Sequence, residues 1–120
     1  MKRYLPILGI LAVLLLTAAP VSAADAMTCD HSGTTIASLH DCVGHAYHMG
    51  HITNKGVANS LLAKLDAAQA ALDRGQPGVA VNLLRAFTNE VNAQTGKHIV
   101  AEHAGHLVEH AGKVIKALSD

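Results

Sequence analysis

The chain has almost no aromatic side chains: its 120 residues hold one phenylalanine, two tyrosines and no tryptophan. Tyr4 lies near the N-terminus, which leaves Tyr47 and Phe87 for the rest. Stacking platforms for bases or sugars need several rings, so that mode of binding is excluded. An excess of one charge is missing too. Nine basic residues face nine acidic ones, which leaves no electrostatic footprint for nucleic acid. There is no Cys-x-x-Cys-His haem signature, phosphate loop, dinucleotide fingerprint or Gly-x-Ser-x-Gly elbow. A His-Glu-x-x-His hydrolase helix is also absent, and Glu102-His103 comes nearest to it without the spacing. These absences predict a protein that is not an enzyme.

Long apolar runs are scarce as well. One stretches from Leu5 to Leu16, broken by Pro6 and Gly9, behind the basic pair Lys2-Arg3. Pro20 and the small-residue stretch Val21-Ser22-Ala23-Ala24-Asp25-Ala26 follow it. That is the three-part layout of a secretory signal peptide. The expected cut is after Ala23, with Ala26 as the second option. The run is shorter than the roughly 20 residues that span a bilayer, so a retained anchor is not expected. Cys29 lacks the apolar-small-small approach of a lipid-attachment site. About 97 residues would remain, enough for one modest core near the size at which a covalent staple helps. The expected location is extracytoplasmic: secreted, periplasmic or on the cell surface, with no membrane span after processing. In such oxidising surroundings Cys29 and Cys42 are expected to pair, for about 2–3 kcal/mol on the loop-entropy model.

No segment alternates with period two for long enough to make a strand. Four segments carry three-four apolar spacing instead. The first, about Thr35 to Met49, puts Ile36, Leu39, Val43, Ala46 and Tyr47 on one face and stops at Gly50. The second, about Lys55 to Arg74, has Asn54 as N-cap, a stripe of Val57, Leu61, Leu65, Ala68 and Leu72, and Gly75 as its stop. The third starts at Pro77, a good first helical residue, buries Ala80, Leu83, Leu84, Phe87 and Val91, and ends at Gly96. The fourth, about His98 to Leu118, buries Val100, Ala104, Leu107, Ala111, Val114 and Leu118. Short connections make antiparallel neighbours, so the predicted fold is all-α: a small up-and-down bundle of three to four helices after a cleaved signal peptide.

Several stretches carry a family resemblance. They are Asn59-Ser60-Leu61-Leu62-Ala63-Lys64-Leu65-Asp66-Ala67-Ala68, Asn82-Leu83-Leu84-Arg85-Ala86-Phe87 and Glu90-Val91-Asn92-Ala93-Gln94-Thr95-Gly96-Lys97. The spacing Ala104, Leu107, Ala111, Ile115, Leu118 completes the pattern. From Ile52 to Leu118 the chain resembles a FIMAH domain, a small helical module of bacterial and archaeal extracellular proteins. The expected layout is therefore signal peptide 1–23, a lead-in and first helix 24–51 stapled by the disulfide, and a FIMAH-like domain 52–120. Such modules are usually appended to larger secreted enzymes or surface proteins, and here the module is expected to stand nearly alone. The resemblance implies a non-catalytic accessory role, with a protein or cell-envelope component as partner. It brings no catalytic residues.

What the chain does have is histidine: nine, all beyond residue 30. On a helix, Asp41, His45 and His48 fall within roughly 60° of one another, and so do His103, His106 and His110. Spacings of three and four can chelate one metal ion, and imidazole with carboxylate suits Zn²⁺, Cu²⁺ or Ni²⁺. These six residues are the candidate metal ligands. The same spacing also suits a solvated face, or a group of imidazoles that charge together below about pH 6.5. Cys29-x-His31 with Cys42-x-x-His45 is a further constellation, in which the disulfide competes with a metal.

Overall fold

The computed structural model describes residues 29–120. The expected signal peptide lies outside them. Four helices follow one another: α1 (Ile36–His48), α2 (Lys55–Asp73), α3 (Pro77–Gln94) and α4 (Ala101–Ser119). Each packs on its neighbour in the chain, and α1 closes on α4. The result is a four-helix, all-α bundle. Among the described residues no helix is long and apolar enough to cross a membrane.

Local chemistry sets the helix ends. The Thr35 hydroxyl accepts from the Ser38 N–H at 3.1 Å, and Asn54 Oδ1 accepts from the Val57 N–H at 3.0 Å. After α1, Gly50 sits at φ +80°, and the His51 N–H turns back to the Ala46 carbonyl at 2.8 Å. A left-handed residue at this point satisfies carbonyls that the helix end would otherwise orphan.

Leu39, Val43, Leu61, Leu65, Leu84, Phe87, Val91, Leu107 and Val114 fill one core. Two side chains assigned to that core from periodicity are exposed instead: Tyr47 by 40% and Val100 by 45%. Cys42 takes the inward place on α1, and Ile99 replaces Val100. The fourth helix also starts later than periodicity predicts. His98 to Val100 pair with the α1–α2 connection: the Thr53 N–H donates to the His98 carbonyl and the Val100 N–H to the His51 carbonyl, both at 2.9 Å. Ile52 and Ile99 form an isolated antiparallel bridge there and are both buried. These long-range bonds hold His98 in a turn and Ile99 and Val100 beyond it out of the helix, against their helical pattern.

A polar contact locks α2 to α3. Glu90 Oε2 accepts from the Ser60 hydroxyl at 2.7 Å and lies 3.3 Å from Lys64 Nζ. All three residues lie in the stretches that carry the family resemblance.

Candidate metal centre

Six of the nine histidines, His31, His45, His51, His103, His106 and His110, gather at the seam between α1 and α4. The lead-in crosses this seam and is tied down twice. Cys29 and Cys42 form a disulfide with their Cα atoms 4.7 Å apart, and Lys113 Nζ donates to the His31 carbonyl at 3.3 Å. Asp30 folds the segment through Ser32, whose N–H it accepts at 2.9 Å. His31 is thereby laid beside α4, its ring centre 5.1 Å from that of His106 and 5.9 Å from that of His110.

Further along α4, His103 stands 5.8 Å from His106, centre to centre. His51 stacks on His103 at 3.5 Å, with the ring planes 14° apart. The Val100-to-His51 backbone bond places His51 there. A cleft of about 180 Å³ opens on the seam, lined by Cys29, His31, Cys42, His45, Ala46, His103 and Leu107. With a metal–nitrogen bond of about 2.0–2.1 Å, two imidazoles on one tetrahedral ion have ring centres about 5 Å apart. The His31–His106 spacing meets that value, and His103–His106 comes within about 1 Å of it.

The six predicted ligands therefore divide. His45 and His103 share the cleft, and His106 stands beside it on the exposed side. Asp41 and His48 are exposed and lie outside the cleft lining. His110 is wholly buried, within the apolar face of α4 rather than on its border. Two participants were missed as helix-face ligands, His31 and His51. Neither lies in a helix, so three-four spacing could not group them; the Cys29-x-His31 motif was the only signal.

His110 has a defined hydrogen-bond state. The Ser38 hydroxyl donates to the Thr35 carbonyl at 2.8 Å. It can then only accept at its 3.0 Å contact with His110 Nε2. The network thus assigns the proton to Nε2, leaving Nδ1 a bare lone pair. That Nδ1 is buried with no partner, as is His45 Nδ1. Cys29 Sγ, His31, Cys42 Sγ and His110 each offer one ligand atom within 4.8 Å of the others.

Burial first, and then the neighbouring imidazole of His31, hold the His110 pKa below the usual histidine value, while the Gly33 backbone works the other way. Burial and then His106 lower His31, and burial followed by His51 and His106 lowers His103. All three are held neutral at neutral pH, the state in which imidazole ligates metal.

The sequence model of the FIMAH domain family matches residues 36–116. The match begins at Ile36, so it takes in α1 as well as the segment from Ile52 on which the resemblance was read. No curated protein and no solved structure matches the chain.

Proposed function

The chain belongs to the FIMAH domain family, and on that premise we propose that it is an exported, non-catalytic binding module whose ligand is a divalent transition-metal ion held at the α1–α4 cleft. The apolar run with its small-residue motif and the Cys29–Cys42 disulfide support export. The accessory, non-catalytic role follows the family resemblance. One observation carries the metal: the His106 ring on α4 lies 5.1 Å from that of His31 in the lead-in and 5.8 Å from that of His103, centre to centre. A chance surface histidine has no need of a second imidazole at that spacing. His51, stacked on His103, fixes that ring's orientation, as outer-shell partners of metal ligands do. Imidazole-rich sites select Zn²⁺, Cu²⁺ or Ni²⁺ over Mg²⁺ or Ca²⁺.

The test is a calorimetric titration of the full chain, expressed for export and kept in its disulfide form, with Zn²⁺, Cu²⁺ and Ni²⁺. A near-stoichiometric site is expected, weakened more than about tenfold by His103→Ala/His106→Ala. Both residues are at least partly exposed, so the variant should stay folded. Weak, multi-site binding that ignores the double substitution would reject the metal and leave a protein or cell-envelope component as the partner to seek.

A further inference from the structure

Two sulfurs and two imidazole nitrogens are the donor set of a closed, four-coordinate zinc site. Cys29, His31, Cys42 and His110 present that set within 4.8 Å. While the sulfurs are bonded to each other they are poor ligands, because the thiolate is the form that binds metal. We propose that reduction of the Cys29–Cys42 disulfide converts this cluster into a Cys2His2 zinc site, so that thiol–disulfide exchange determines whether the protein holds zinc there.

Three observations carry the inference. The cluster already has four ligands from three places in the fold: the lead-in, α1 and α4. Its inner half is buried, with Cys42 1% exposed and His110 not at all, while Cys29 and His31 are half-buried. A buried site of this kind must be close to neutral, and two thiolates with two neutral imidazoles balance Zn²⁺. Finally, Ser38 holds the proton of His110 on Nε2, so the unpartnered Nδ1 is a lone pair with no protein donor to fill it. Burying such a nitrogen costs stability unless something binds it. Zinc supplies that partner.

The exchange balances with a dithiol reductant. Its thiolate attacks Cys29 Sγ, the half-buried sulfur, forming a mixed disulfide and expelling Cys42 as thiolate. The second thiol of the reductant then displaces Cys29 and closes the reductant's own disulfide. Two electrons pass to the protein pair, and two protons leave both cysteines as thiols. Zinc takes both as thiolates and releases those protons to solvent. The metal then replaces the lost staple between the lead-in and α1.

This site borders the same cleft through Cys29, His31 and Cys42, but of its ligands only His31 belongs also to the imidazole set His31, His103 and His106, so either can fail alone. The full chain is reduced with a phosphine, freed of it anaerobically, and titrated with Co²⁺ as a spectroscopic stand-in and then with Zn²⁺. One equivalent of cobalt with a thiolate-to-cobalt charge-transfer band is expected, displaced by zinc and absent from the disulfide form. The band should survive His103→Ala/His106→Ala. Cys29→Ser, which also lacks the disulfide, should lower zinc affinity more than about tenfold against the reduced chain. Cobalt binding without the band would overturn the proposal. So would equal zinc affinity of the reduced and disulfide forms, or a reduced chain whose helical circular dichroism is lost and not restored by zinc.

Discussion

At His110 a single side chain joins the core to the site. Its Nε2–H points at a Ser38 oxygen whose own proton is already committed to Thr35. Ser38→Ala removes that acceptor and strands a buried N–H, which typically costs about 1–3 kcal/mol. Urea unfolding should show a lower midpoint with an unchanged slope; an unchanged midpoint would mean that the imidazole takes its other tautomer at no cost. The position could not be recognised from spacing alone. His110 lies four residues from His106 and seven from His103, and equally three from Leu107 and four from Val114 of the apolar face. Periodicity puts it on the boundary, and only packing against α1 and the lead-in makes it interior.

Between elements, the helix ends were legible because caps and stops are local chemistry. Thr35, Asn54 and Pro77 mark starts, and Gly50, Gly75 and Gly96 mark stops, where the structure has them. The start of α4 was not legible. His98 to Val100 follow helical periodicity but are held by bonds to His51 and Thr53, more than 40 residues away in sequence. The same bonds place His51 over His103, so the site's stacked pair was hidden for the same reason. Two glycines in and beside α1 separate backbone effects from packing effects. Neither Gly44 nor Gly50 has an atom within 4 Å of an added Cβ. Gly44 lies inside the helix, so Gly44→Ala should stabilise by about 0.5–1 kcal/mol. Gly50 is left-handed at φ +80°, so Gly50→Ala should destabilise by about 1–2 kcal/mol. Thermal unfolding of the pair should give shifts of opposite sign. Shifts of the same sign would show that the turn after α1 can relax to an ordinary backbone, and His51 would then no longer be fixed by it.

For the whole molecule, the seam of imidazoles makes stability depend on pH in one direction. His31, His103 and His110 all have lowered pKa values in the folded state, with burial the first cause in each. In the unfolded chain they titrate near the ordinary histidine value of about 6.5. Below that pH the unfolded state binds protons that the folded state refuses, so acid favours unfolding. Stability from these groups is therefore complete above about pH 6.5 and is lost as pH falls from there toward their folded values. The Ser32 side chain and then its backbone N–H lower the Asp30 carboxyl, whose contribution is lost further down, as pH falls from its ordinary 3.8 toward its folded value. Both effects act in the same direction. The midpoint temperature should thus hold steady from about pH 8 to 7 and drop by several degrees by about pH 5. Metal-free protein in the disulfide form is the sample to use, because zinc would add a proton dependence of its own. His110→Gln removes one of the three titrating rings and should flatten the slope between about pH 6.5 and 5, even if it lowers stability at every pH. A slope that survives this substitution intact would place the acid sensitivity on the rings at the cleft, His31 and His103, and mean that His110 takes up its proton alike in the folded and unfolded states.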